Sequence, residues 1–310
     1  MTGARHRAQD AVVVAGYRLG WKAVRLLPER AAYRLFDRIA DTMVRHDGGS
    51  VRRLRDNYRT VHPDLADTQL DDLVRAGVRS YLRYWCEAFR LPDLEPHDLT
   101  RAVRVVGDGP VRSALADGRA VVCFLGHLGN WDMAGAWATQ HLGPVVTVAE
   151  RLRPEQVFEE FLAFRQRLGM RIIPLTGGGD VYELLRESAV DPVVIPLLAD
   201  RDLTRRGLEV DFAGDRSRVA IGPAALAYDT GSNLHPVSIH YEPAAEGPGG
   251  WRTVITFHEH VPAPAGESRH RAVRAMTASC AAVLGDEVRL HTVDWHICSA
   301  CSRGISTPRG

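Results

Sequence analysis

"RAVVCFLGHLGNWDMAGAWATQHLGPVVTVAE", residues 119–150, changes its hydrophobic period twice. Residues 120–125 form a continuous apolar run ended by Gly126, as a strand buried on both faces does. Asn130 is a good helix cap, so "WDMAGAWATQHL" reads as a helix with Asp132 in its first turn. "PVVTVAE" then returns to strand.

The same alternation continues outward. "MRIIPL", "PVVIPLL", "LEVDFA", "LHPVSIHY" and "WRTVITFH" are further β-rich runs with helical segments among them. The fold class is therefore α/β, with a central, mostly parallel or mixed sheet of about seven strands covered by helices. "EPAAEGPGG" (242–250) is the turn cluster expected to join two neighbouring strands. Before residue 104 the pattern is helical: a first helix ended by Pro28, a second over roughly 29–46, a third ending near His62, and a long one closed by Pro92. Residues 1–100 are thus expected as a helical, membrane-facing region and 101–296 as the α/β core. Residues 297–310 form an atypical tail.

Charge is distributed unevenly. The chain of 310 residues has a net charge of +1, which gives no basis for a nucleic-acid partner. Residues 1–60, however, carry 13 Lys+Arg against 6 Asp+Glu, which suits an anionic surface such as the inner leaflet of a cell membrane. In "AQDAVVVAGYRLGWKAVRLLPE", Val14, Tyr17, Trp21 and Val24 share one helical face, flanked by Arg18, Lys22 and Arg25. Such a stripe fits a helix lying in a membrane interface, or one packed on the domain's own core. No apolar run reaches the roughly 18 residues of a membrane span, and no signal-peptide pattern is present, so a cytoplasmic location is expected. Cys86, Cys123 and Cys280 sit in apolar or helical surroundings and read as buried thiols. Cys298 and Cys301 form a lone CxxC without a second pair.

The chemistry concentrates at residues 126–132. His127 lies on a turn between Gly126 and Gly129. On a continuous helix, residues five apart would point about 140° away from each other. With His127 ahead of the cap, its side chain and that of Asp132 can meet. An aspartate on one imidazole nitrogen fixes the tautomer and leaves the other nitrogen to take a proton. If an acceptor hydroxyl is the nucleophile, this pair serves acyl transfer without a serine or cysteine. A capped turn whose Asp132 only favours the helix dipole is the plainer alternative.

Glu150 and Asp200 stand at the C-terminal ends of strands, where α/β sheets place ligands. Either is a candidate to steady the imidazolium or bind sugar hydroxyls, and either also fits a solvated strand end. Gly177, Gly178 and Gly179 precede a helix in a shape able to cradle phosphate. Arg151, Arg153, Arg201 and Arg205 cluster near the strand-end carboxylates, where they can meet anionic groups. His258 and His260 share a strand face but show no third ligand, so no metal is expected. The chain has no G-x-S-x-G elbow and no G-x-G-x-x-G after the first strand of the sheet. A non-catalytic lipid-binding protein is the rival class, disfavoured by the His127/Asp132 pair.

These blocks carry a resemblance. "RAGVRSYLRYWCEAFRLP", "FLGHLGNWDMAGAW", "VAERLRPEQVFEEFLAFRQRLGMRIIPL", "PLLADRDLTRRGLEVDFAGDRSRVAIGPAALAYDTGSNLHPVSI" and the late "VDWHIC" follow one another in order. In them the chain resembles the bacterial membrane-lipid acyltransferases, which include the lipid A late acyltransferases, and most closely their phosphatidylinositol mannoside acyltransferase branch. The resemblance implies a glycerolipid acyltransferase-like fold and a peripheral enzyme on the cytoplasmic face of the membrane. It further implies transfer of a long acyl chain from acyl-CoA to a mannose hydroxyl of a phosphatidylinositol mannoside, with no cofactor beyond that donor substrate. His127 then matches the catalytic base and Asp132 its partner. Family members carry glutamate near the Asp200 position, so its role stays open. Another lysolipid or glycolipid acceptor is the alternative within the class.

The resemblance stops after Trp295-His296. "ICSACSRGISTPRG" has no amphipathic period. GC-rich codons chosen for it, read in a shifted frame, encode alternating apolar and charged residues. The tail is thus compatible with a frame-shifted reading of the gene as well as with a disordered or variant end.

Overall fold

The computed structural model describes residues 20–149, 155–175, 180–202 and 207–297. Four helices lead: α1 (20–26), α2 (Glu29–His46), α3 (Gly49–Val61) and α4 (Asp67–Arg90). After the short α5 (Pro96–Ala102) come β1 (Val103–Val106), α6 (Gly109–Ala116), β2 (Val121–Leu125), α7 (Trp131–His141) and β3 (Val145–Ala149). Next are α8 (Glu155–Arg167), β4 (Met170–Pro174), α9 (Val181–Ser188), β5 (Val194–Leu198), β6 (Leu208–Phe212) and β7 (Asp215–Val219). The chain continues through α10 (Gly222–Thr230), β8 (Asn233–Pro243), β9 (Trp251–Phe257) and α11 (Arg269–Leu290).

Seven strands form one sheet in the order β1-β9-β8-β2-β5-β3-β4. The β8–β9 pair is antiparallel, joined by the turn cluster at 242–250, and the other described pairings in this sheet are parallel. This is the mixed α/β architecture expected. One assignment within it is corrected. "LEVDFA" supplies β6, which pairs with β7 in a separate antiparallel hairpin, and the seventh place in the sheet belongs to β1. Strand β1 is only four residues long, of which Val103 alone is buried, so it is too short to show a period of its own.

Every residue of β2 is buried, and its side chains alternate between two layers. Val122 and Phe124 join a core with Leu226 of α10 and Val273 and Leu284 of α11. Val121, Cys123 and Leu125 join another with Met133 and Trp137 of α7 and Phe164 of α8. A buried side chain such as Phe124 contributes about 1.5–3 kcal/mol, so β2 is firmly held between the two layers. Burial pushes the Cys123 thiol up to about 12, which leaves it an inert packing group.

Strand β2 runs between β5 and β8, with Leu125 opposite Leu198 and Val237. From β2 the chain crosses to β3 on one side; from β5 it passes through α10 to β8 on the other. The sheet therefore reverses its winding between β2 and β5, and their C-terminal ends form the switch point at which open α/β sheets place a ligand crevice.

The expected membrane-facing stripe on α1 is corrected. Trp21 and Val24 are buried. The Trp21 ring meets Phe89 and Phe164 at centroid separations of 5.3 and 5.4 Å, and its indole N–H donates to the Phe89 carbonyl at 2.8 Å. Lys22 and Arg25 are exposed, and Arg25 Nε donates to Asp93 Oδ2 at 2.6 Å. Val14, Tyr17 and Arg18 lie outside the described residues. At the other end Ile297 is buried, and its carbonyl accepts from Asn57 Nδ2 at 2.9 Å. Residues 298–310, with Cys298 and Cys301, are not among the described residues.

Candidate active site

The crevice between β2 and β5 brings two sequence-distant residues together. Ala199 N donates to Leu125 O at 2.8 Å, so the strands stay in register to their last residues. His127 and Asp200 follow directly. His127 Nδ1 lies 2.7 Å from Asp200 Oδ1, and the His127 backbone N–H donates to Asp200 Oδ2 at 2.9 Å. Asp200 is sealed from solvent, whereas the His127 side chain is 23% exposed. Burial alone would raise the Asp200 carboxyl. The charge and two hydrogen bonds of His127, with one from Trp295, outweigh it and hold the carboxyl below its usual value. An ionised Asp200 keeps the proton on Nδ1 and leaves Nε2 as a proton acceptor.

The carboxylate that orients His127 is thus Asp200 and not Asp132, which corrects the pairing expected from the His-x4-Asp spacing. Asp132 is buried and turned away. Its carboxylate accepts from Arg165 Nε at 2.7 Å and from the Tyr84 hydroxyl at 2.7 Å. The Arg165 guanidinium loses hydration on burial, and the adjacent Asp132 keeps it charged, its pKa raised above the ordinary value. Asp132 ties the start of α7 to α4 and α8. Trp131 stands beside it, tilted on Tyr84 at 4.4 Å and edge-on to His127 at 6.0 Å.

The turn between β2 and α7 is fixed from three sides. Asn130 Oδ1 accepts from Met133 N at 2.9 Å, a cap worth about 1 kcal/mol. Its Nδ2 donates to Glu87 Oε2 at 2.8 Å, and the same oxygen takes the Tyr241 hydroxyl at 2.7 Å. Burial raises the Glu87 carboxyl, opposed by these hydrogen bonds and by Arg83. Gly129 has φ +58, and a Cβ there would sit 2.5 Å from the Ile239 carbonyl oxygen, so only glycine fits.

A third strand-like segment closes the turn from the C-terminal side. Leu128 bridges Trp295 in antiparallel fashion, Gly129 N donates to Asp294 O at 2.9 Å, and His296 N donates to His127 O at 2.8 Å. Trp295 Nε1 donates to Asp200 Oδ2 at 3.0 Å. His296 is buried against Tyr81 and Trp131, with Nε2 3.1 Å from Ser80 Oγ. Burial, then Arg83 and His127, push its pKa down to about 3, so it is neutral.

Arg201 follows Asp200 and is half-buried. Glu150, Arg151, Arg153, Arg205, Gly177, Gly178 and Gly179 lie outside the described residues. Sequence reasoning passed over Tyr84, Glu87 and Arg165. Each sits on a helix, and Glu87, a carboxylate between Cys86 and Ala88, was the one with a visible signal.

Residues 6–298 match the model of the bacterial lipid A biosynthesis acyltransferases. The chain belongs to this family. The acyltransferase is 40% identical over 283 residues to a protein of Mycolicibacterium smegmatis named phosphatidylinositol mannoside acyltransferase, covering 91% of this chain and 88% of that one. It is 39% identical over 284 residues to one of the same name from Mycobacterium tuberculosis (strain H37Rv), covering 91% and 85%.

Proposed function

We propose that this acyltransferase moves a long-chain acyl group from acyl-CoA to a mannose hydroxyl of a phosphatidylinositol mannoside, with His127 as general base. The observation that carries the proposal is the 2.7 Å contact of buried Asp200 with His127 Nδ1, which leaves Nε2 basic on the partly exposed side of the ring. The relatives' names supply the acceptor class. In the step proposed, Nε2 takes the hydroxyl proton as the oxygen forms a bond to the thioester carbonyl. The tetrahedral intermediate collapses with cleavage of the C–S bond, and the departing CoA thiolate takes the proton from Nε2. Asp200 remains ionised throughout and stabilises the transient imidazolium. Arg201, beside this carboxylate, is proposed to meet an anionic group of a substrate.

We propose a peripheral position on the cytoplasmic face of the membrane. No described helix is long and apolar enough to cross one. Helix α2 exposes Arg30, Arg34 and Arg38 next to Leu35 and Ile39, a basic stripe beside an apolar one.

The test incubates the full chain with palmitoyl-CoA and a panel of phosphatidylinositol mannosides, following acylated product by mass spectrometry and released CoA by a thiol assay. Product and CoA in equal amounts, both lost in a folded His127→Ala variant, are expected. Undiminished turnover by that variant overturns the mechanism. CoA release without acylated mannoside overturns the acceptor.

A further inference from the structure

Away from the crevice, β8 and the end of α11 bring together His240, Glu287 and His291. One ligand atom from each lies within 4.8 Å of the other two. Glu287 and His291 are one helical turn apart on α11, where the His291 N–H donates to the Glu287 carbonyl at 2.9 Å. Spacing of i, i+4 puts both side chains on one face. Glu287 Oε2 is 3.8 Å from His291 Nε2, and Oε1 is 3.9 Å from His258 Nε2. Both separations are too long for hydrogen bonds. This half-buried carboxylate thus faces imidazole nitrogens on two sides without bonding either. His240 Nδ1 is cut off from solvent and has no hydrogen-bond partner.

We propose that His240, Glu287 and His291 bind a zinc ion, with a water molecule in the fourth position. Two imidazoles and one carboxylate are an ordinary zinc donor set. Bonds of about 2.0–2.2 Å in a tetrahedron set ligand atoms about 3.4 Å apart, so the Glu287–His291 gap needs to close by only about half an ångström. The His240 and His291 rings stack at 3.6 Å, and coordination by both requires one to turn. His291 keeps part of its surface open, which gives the ion a way in. The proposal is independent of the acyl-transfer reading.

The experiment is calorimetric titration of zinc chloride into the full chain after chelator treatment, with metal content counted separately by mass spectrometry. One zinc per chain is expected. His240→Ala, His291→Ala and the isosteric Glu287→Gln should each weaken binding at least about 10-fold, with unchanged far-ultraviolet circular dichroism. A Cys298→Ser, Cys301→Ser double variant should bind as the parent does. Absence of saturable binding at micromolar zinc overturns the proposal. So does loss of binding in the cysteine variant, or full retention in Glu287→Gln.

Discussion

Trp295 and His127 donate to the same oxygen of Asp200, the indole N–H at 3.0 Å and the backbone N–H at 2.9 Å. A residue near the end of the described chain thereby orients a carboxylate that steers the imidazole of another. The other Asp200 oxygen lies 2.7 Å from His127 Nδ1.

Asp200→Asn keeps the size of the side chain and removes its charge. Turnover should fall about 10²–10⁴-fold, with KM for both substrates little changed, because the imidazole loses its orientation and its counter-charge. Initial rates against each substrate check this.

The same carboxylate has a consequence for stability. Its folded pKa is depressed, so its contribution is present above the unfolded value of about 3.9 and disappears as pH falls through the folded value. Urea midpoints of the parent and Asp200→Asn should therefore differ most near neutrality and converge in acid.

Trp295→Phe removes one donor and keeps most of the ring. Turnover should drop roughly 10-fold, the scale of a small misplacement of a catalytic group. If Trp295 only filled space, kcat would be unchanged in this variant.

Asp132 is buried and its partner Arg165 half-buried, so removing the guanidinium strands a carboxylate away from water. Asp132→Ala or Arg165→Met should each cost about 3–5 kcal/mol, read as a lower urea midpoint. The double variant should be less destabilised than the sum of the two.

Reversing Arg30, Arg34 and Arg38 to Glu should weaken binding to vesicles containing phosphatidylinositol, since each cation near an anionic leaflet contributes about 1 kcal/mol. The comparable change at Lys22 and Arg25 should act less on vesicle binding, because α1 is anchored by buried Trp21 and Val24. Co-sedimentation across a salt series separates the two.

How legible the site was depended on distance along the chain. The strand–turn–helix at 119–141 is local. Its periodicity, the Asn130 cap and the special backbone at Gly129 follow from neighbouring residues, and the structure repeats them. The partner of His127 is not local. A spacing of five pointed to Asp132, but the adjacency of β2 and β5 brings in Asp200 from 73 residues away. Strand order, which no short window encodes, made that choice. The α1 stripe failed for a related reason: an amphipathic face records that something apolar covers it, and here that cover is Phe89 and Phe164. "VDWH" offered no periodic pattern, and its meaning lies in the bonds Trp295 and His296 make across the fold.

That late segment also sets an order of events during synthesis. The ribosome delivers His127 and Asp200 long before Trp295, so a nascent chain can complete β2 and β5 while the Asp200 carboxylate still lacks its indole donor. Competence arrives only with the last stretch of the fold. Fragments ending ahead of Trp295 should therefore turn over poorly, because they lack the indole donor to Asp200.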